Sequence, residues 1–142
     1  MTVDLVVGET VCSPSKTLTD AHFLFFSGLT GDSHPIHYDV EYAKGRSFGR
    51  PVAHGLLMAS MTAAGASAFL SRMDGFIFVE QGCRFLRPAF VGDTITPRLT
   101  VERIWSEDGR TYVRLKSAIT NQHDDTLLDG FQLYAVKDKE TR

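Results

Sequence analysis

The amino-acid sequence predicts an α+β fold in which an antiparallel sheet wraps around one long buried helix. Residues 55–70 carry no charge and are apolar or small on every face, which is typical of a helix enclosed by other structure. Residues 76–136 instead contain runs rich in β-branched and aromatic residues, separated by turn signals. One enclosed helix followed by several strands indicates a single core between that helix and a curved sheet.

Five runs in the second half are expected to form strands joined by hairpins or short loops. They span residues 76–79, 81–86, 93–105, 111–120 and 126–136. The first half is expected to supply one strand, two helices and a loop. These are a strand at 11–19, a helix at 21–29 capped by Thr19 or Asp20, a short helix at 39–44 ended by Gly45, and a loop at 46–53.

The length of 142 residues indicates a single domain, residues 1–142. The formal charge of -2 gives no overall electrostatic attraction to nucleic acid. Residues 52–70 are long and uncharged enough to suggest a membrane span. They are rich in Ala, Gly, Ser and Thr, however, and a lone span would leave the strands without a core. We therefore expect neither a nucleic-acid partner nor a membrane segment.

Two cysteines, Cys12 and Cys83, lie far apart and lack the spacing of a zinc site or a disulfide framework. The first residues include an early acid and no long apolar run, so no secretory signal is indicated. Both observations favour a cytoplasmic protein in a reducing compartment.

An aspartate and a histidine lie five residues apart in a turn-rich segment, residues 31–37. Gly31 marks the end of an apolar helical run and Pro35 disfavours helical geometry before it, so Asp32 and His37 are expected on an irregular loop. A carboxylate and an imidazole can hold one water between them near neutral pH. The plainer interpretation is a helix stop with a turn aspartate and a structurally satisfied histidine.

The predicted buried helix starts at His54 and Gly55 with no Ser, Thr, Asp or Asn immediately ahead to cap its N–H groups. Gly55 allows a substrate close to the backbone, where free N–H groups would stabilise negative charge on a carbonyl oxygen. The alternative is a helix start capped by water or by a distant group. Together with Asp32 and His37, this start suits hydration of a double bond conjugated to a thioester, which requires no metal or redox cofactor.

Three segments, residues 27–37, 49–57 and 87–94, resemble the MaoC-like family of (R)-specific enoyl-CoA hydratases and dehydratases. The resemblance covers most of the chain and implies a single hot-dog domain. It further implies interconversion of trans-2-enoyl-CoA and (R)-3-hydroxyacyl-CoA, or of the corresponding acyl-carrier-protein thioesters. A homodimer with sheets joined edge to edge, or a higher oligomer, is the implied assembly.

By position, the resemblance implies that Asp32 and His37 are the catalytic pair that holds the water. It implies that the Gly55 N–H receives the thioester carbonyl. Two departures stand out. The family usually has Asn where this chain has His34. A serine often found one turn into the central helix appears here only as Ser60, with Ala63 as the alternative equivalent position and plain packing as the alternative role for Ser60.

Further candidates for substrate binding are His34, His54, Arg84 and Arg87. Guanidinium groups pair well with phosphate oxygens, so Arg84 and Arg87 are candidates for the phosphates of coenzyme A, with solvated surface as the alternative. His34 and His37, around a proline and without a nearby acid or thiol cluster, make a poor metal site. No metal is therefore predicted.

Two other activities compete with hydration. Many hot-dog thioesterases place an acid on the central helix, and none occurs here from Gly55 through Ser71. A non-catalytic acyl-thioester-binding subunit of a heteromeric dehydratase is the second alternative. Degenerate subunits often lack the acid and the imidazole, whereas this chain has both.

Overall fold

The computed structural model describes residues 3–137 of the chain. Within this range the chain forms an antiparallel sheet and three α-helices. The strands are β1 (Thr10–Cys12), β2 (Lys16–Thr17), β3 (Ile77–Phe85), β4 (Thr94–Glu107), β5 (Arg110–Thr120) and β6 (Thr126–Lys137). The helices are α1 (Asp20–Thr30), α2 (Val40–Lys44) and α3 (Gly55–Ser60).

The sheet has the order β1-β4-β5-β6-β3, and β2 also pairs with β4. A two-residue turn joins β4 to β5, in which Asp108 and Gly109 both have positive φ, 50° and 72°. Such a turn matches the twist of the strands that it connects. Because β6 lies between β3 and β5, β3 stands at one edge of the sheet.

The predicted strands of the second half are confirmed with one change. The runs at 76–79 and 81–86 form the single strand β3, whose register shifts between Phe78 and Glu80 as a bulge. The strand predicted at 11–19 is instead two short strands, β1 and β2. Pro14 lies between them and cannot donate a ladder hydrogen bond, so pairing is interrupted there.

The core consists of two clusters, and α1 and α3 pack against the sheet in the first of them. Its first cluster contains Leu18, Phe23, Leu57, Met58, Ile95, Ile119 and Leu128. A second cluster contains Leu5, Phe69, Leu99, Val101, Val113 and Leu115. Burial of Leu57, Met58 and Ala59 fixes α3 on the sheet, and thereby the position of its first residue, Gly55.

The helix predicted over residues 55–70 is wrong in length, because α3 ends at Ser60. Two 3₁₀ turns, Ala64–Ala66 and Leu70–Arg72, take the place of its second half. The segment is also not enclosed on every face, since Leu56 is 70% and Leu70 is 61% exposed.

Hydroxyl groups and a buried glutamine account for the early end of α3. The Ser60 and Thr62 hydroxyls each donate, at 2.7 Å, to the carbonyl three residues back, which competes with the helical hydrogen bonds. Gln132 of β6 donates to the Thr62 carbonyl at 2.9 Å and to its hydroxyl at 2.7 Å. That carbonyl is therefore bound by a side chain, whereas a continuous helix would use it for an N–H four residues on.

The predicted α+β architecture is confirmed, with α3 packed against the antiparallel sheet through Leu57, Met58 and Ala59. None of the helices formed by residues 3–137 has the length and apolar character that a bilayer crossing requires.

Replacing Gln132 with Leu tests the role of this glutamine. Both groups of Thr62 would lose their donor, and the Tyr134 hydroxyl, 3.0 Å from Gln132 Oε1, would lose its acceptor. Because Gln132 is 1% exposed, we expect the free energy of unfolding to fall by about 2 kcal/mol in urea titrations. Exposed Gln81, across the strand pair, donates to the Ala59 carbonyl at the longer distance of 3.4 Å, so the same substitution there should cost less, about 0.5 kcal/mol. Equal losses at the two positions would contradict this account.

Candidate active site

Asp32 directly follows the end of α1. Gly31 ends the helix in the left-handed region at φ 79°, and its N–H donates to the Ser27 carbonyl at 2.8 Å. The Thr30 hydroxyl donates to the Phe26 carbonyl at 2.7 Å and accepts the Asp32 N–H at 3.2 Å. The last turn of α1 thus fixes the backbone of Asp32, whose side chain is exposed.

His34 begins the 3₁₀ turn Pro35–His37. Its Nδ1 accepts the Ile36 N–H at 3.2 Å, and its carbonyl accepts the His37 N–H at 3.1 Å. The His34 ring also lies edge-on to Tyr42, with centroids 5.7 Å apart. A side chain that caps a turn through an acceptor atom resembles what Asn does in such turns, so this residue shapes the loop locally.

His37 is anchored through one nitrogen. Its Nδ1 lies 2.7 Å from the Val52 carbonyl oxygen, which can only accept, so Nδ1 carries the proton. A second bond, from the Val52 N–H to the Ile36 carbonyl at 3.1 Å, holds the two segments together. In the neutral ring, Nε2 therefore retains a lone pair that can take a proton.

The side chain of His54, one residue before α3, is 1% exposed and joins Asp32 to His37. Its Nε2–H donates to the Asp32 carbonyl at 3.3 Å, and Nε2 lies 3.0 Å from the Ser27 hydroxyl. The His54 ring stacks on that of His37, with centroids 3.6 Å and planes 19° apart. The structure thereby brings together Asp32, His37 and His54, each with a polar side-chain atom within 4.8 Å of the others.

Burial lowers the pKa of the His54 imidazole, and the nearby His37 acts in the same direction, while Asp32 opposes both. The Nδ1 atom of His54 is buried without a hydrogen-bond partner in the described part of the chain. A proton there would bury an unpaired N–H and a charge, which costs free energy. His54 is therefore a neutral ring protonated at Nε2.

Asp32, His37 and His54 do not fit a metal ion, although their ligand atoms lie close together. The lone pairs of an imidazole lie in its plane, and two rings stacked at 3.6 Å cannot both direct them to one ion at about 2 Å. His37 Nδ1 and His54 Nε2 already bind protein oxygens.

Gly55 begins α3, and within residues 3–137 no side chain caps the helix start. A β-carbon at this position would lie 3.1 Å from the Phe85 ring, a contact tighter than usual, which explains the glycine. Gly55, Val52 and Phe85 line a cavity of about 440 Å³. The carbonyl that anchors His37 thus belongs to a residue at the wall of this cavity.

The other predicted binding residues lie in different places. Arg87 lines the same cavity as Gly55, and its guanidinium is 3.6 Å from the Asp125 carboxylate. Arg84 is paired with Asp129 in the sheet and lies on the outer face, because its neighbours in β3 face inward. Ser60 ends α3, where its hydroxyl donates to the Leu57 carbonyl. The described contacts do not bring Arg84 or Ser60 to Asp32 and His37.

Two functional groups of this cluster were missed by sequence reasoning. Ser27 is 7% exposed and lies four residues after buried Phe23, so a hydroxyl on the buried face of α1 was the available signal. Val52 contributes its backbone carbonyl, for which side-chain identity gives no signal.

Comparison with known proteins identifies the family of the chain. Residues 4–123 match the family model of the MaoC-like domain. An (R)-specific enoyl-CoA hydratase from Rhodospirillum rubrum is 31% identical over 117 residues, which cover 82% of this chain and 78% of that protein.

Among solved structures, a monoamine oxidase regulatory protein from Archaeoglobus fulgidus has a TM-score of 0.85 and 30% identity, covering 95% of this chain and 92% of that one. A Mycobacterium tuberculosis protein with a double hot-dog fold has a TM-score of 0.77 and 21% identity, covering 98% of this chain and 44% of that one. The latter likeness shows the fold alone. On the family match and the identity to the Rhodospirillum hydratase, the chain belongs to the MaoC-like hydratase and dehydratase family, as its motifs predict, and it has the hot-dog fold.

Proposed function

We propose that the chain hydrates trans-2-enoyl-CoA to (R)-3-hydroxyacyl-CoA, or catalyses the reverse dehydration. The observation that carries the proposal is the cluster of Asp32 and His37, in which the bond to Val52 leaves His37 Nε2 free to exchange a proton. The name of the Rhodospirillum relative, an (R)-specific enoyl-CoA hydratase, supports the substrate and the stereochemistry.

In the proposed reaction, Asp32 and His37 hold one water beside the substrate double bond. One of the pair takes a proton from this water as its oxygen adds to the β-carbon. The pair then returns a proton to the α-carbon, so the sum is addition of one water and both residues end in their starting state. Dehydration is the same sequence in reverse.

Addition at the β-carbon places negative charge on the thioester oxygen, and we assign the Gly55 N–H as its donor. The uncapped start of α3 and the cavity at this residue support the assignment. Because α3 has only six residues, the directed N–H contributes more than a helix dipole would.

The carrier end of the substrate is assigned to the side of the cavity at Arg87. Its side chain is 62% exposed and its partner Asp125 lies 3.6 Å away, so the guanidinium can turn to a phosphate oxygen. Arg84, on the outer face of the sheet, is not included in this assignment.

We also propose that the working form is a homodimer built on β3. This edge strand exposes three successive apolar residues, Ile77 (70%), Phe78 (51%) and Val79 (53%). An unpaired edge with apolar side chains favours pairing with another chain, and a second copy offers the same strand.

A cytoplasmic location is proposed as well. Both cysteines, Cys12 and Cys83, are free thiols, as expected in a reducing compartment.

Replacing Asp32 with Asn tests the proposed chemistry. The amide has the size of the carboxylate but cannot accept a proton, so the turnover of trans-2-enoyl-CoA should fall by about 10²- to 10⁴-fold. Loss of the conjugated thioester absorbance measures the rate, across a series of acyl chain lengths.

The matched control is Asn at exposed Asp74, outside the cluster, which should retain full turnover. Thermal unfolding of both variants checks that they are folded. Full activity of the Asp32 variant, or an inactive wild type at every chain length, would refute the proposal. Release of free CoA thiol would favour a thioesterase, and binding of acyl-CoA without turnover a non-catalytic subunit.

Replacing Phe78 with Lys tests the dimer. A charge on the exposed apolar edge should repel a second copy, so light scattering after gel filtration should show a dimer for the wild type and a monomer for the variant. Lys at exposed Phe25 of α1 is the control and should leave the dimer intact. A monomeric wild type, or a dimer that survives the change at Phe78, would contradict the assignment.

A further inference from the structure

His54 is a buried titratable residue that the proposed reaction does not use. Its side chain is 1% exposed. Its Nε2 atom contacts the Asp32 carbonyl, and one face of its ring contacts the His37 ring. Each of these contacts reaches one member of the proposed catalytic pair.

The first contact holds the loop at Asp32. The His54 Nε2–H donates to the Asp32 carbonyl at 3.3 Å, across 22 residues of sequence. Within residues 3–137, the other bonds of Asp32 are to nearby residues: its N–H donates to the Thr30 hydroxyl, and its carboxylate accepts the His34 N–H at 3.5 Å. The bond from His54 therefore ties this loop to the start of α3.

The second contact holds the ring of His37. The Val52 carbonyl binds Nδ1 at one edge of the ring. The nearly parallel ring of His54, with its centroid 3.6 Å away, packs on the face of this imidazole, so tilting is restricted and the direction of the Nε2 lone pair is fixed.

His54 is itself held by α1. The Ser27 hydroxyl, 7% exposed, lies 3.0 Å from His54 Nε2, and the rings of Phe23 and Phe26 pack on the imidazole at centroid distances of 6.3 and 4.9 Å. The titratable groups that face His54 are Asp32 and His37.

We infer that His54, held by Ser27, is a positioning residue that fixes Asp32 through its carbonyl and His37 through ring stacking. The role in catalysis rests on the proposed function, whereas the two positioning contacts do not. Substrate contact, the role expected from sequence for His54, is not part of this inference.

Two substitutions separate the two contacts. In H54F a ring still stacks on His37 but the N–H to Asp32 is lost. In H54Q an N–H donor remains but the ring is lost. NMR should therefore show a shifted Asp32 carbonyl carbon with a preserved His37 Nδ1–H signal in H54F. The reverse pattern, with faster exchange of the His37 Nδ1–H, is expected in H54Q.

In the same variants, the turnover number for trans-2-enoyl-CoA should fall by up to about 10²-fold while the KM changes little, because misplaced catalytic groups slow the chemical step. His123→Gln, on an exposed loop, is the control and should change neither NMR signals nor turnover. S27A should shift the Asp32 carbonyl carbon less than H54F does.

The outcomes distinguish the two claims. Unchanged Asp32 and His37 signals in both His54 variants would overturn the positioning role, whatever the activity. If the wild type is inactive with every enoyl-CoA, the proposed function fails, while the NMR patterns still decide the positioning contacts. The predicted signal shifts without any fall in turnover, in an active enzyme, would overturn the catalytic consequence.

The pH dependence of stability gives a second test. The pKa of His54 is lowered in the folded chain by burial, so below about pH 6.5 the unfolded chain binds a proton that the folded chain does not. Stability from this residue is thus present above that pH and is lost as the pH falls. Urea unfolding should show a larger loss between about pH 7.5 and 5.5 for wild type than for H54F, and equal losses would contradict a buried neutral His54.

Discussion

The docking of the α1–α2 loop on the chain just before α3 is the constraint on which the site depends. Ile36 and Val52 share a backbone hydrogen bond, and the Val52 carbonyl accepts the Nδ1–H of His37. Val52 in turn forms an isolated bridge with Phe90, just ahead of β4. A turn-rich loop without a strand of its own is thereby fixed to the sheet and to the first residue of α3.

The sequence predicted which residues form this site better than it predicted the contacts between them. Asp32 and His37 could be paired from a five-residue spacing around a proline and from the resemblance to the MaoC-like family, and the family is confirmed. The stacking of His54 on His37 and the hydroxyl of Ser27 follow from how α1 packs against the start of α3. Local patterns carry no information on such a contact between distant segments.

The length of α3 shows the same limit for the fold. An uncharged run of small and apolar residues predicts a long helix from local propensity. Gln132, 70 residues away in sequence, binds the Thr62 carbonyl, and the hydroxyls of Ser60 and Thr62 compete for the last turn. A tertiary contact thus overrides propensity, while the strands of the second half, whose alternation reflects one buried face, were predicted closely.

We propose that Asp32 and His37 converge on one water that faces the amino end of α3. A neutron crystal structure tests it most directly, since it locates both the water and the protons. The account predicts a water within about 3.2 Å of the Asp32 carboxylate and of His37 Nε2, with the imidazole proton on Nδ1 toward Val52. Side chains that diverge, or a proton on Nε2 with Nδ1 bare, would contradict it.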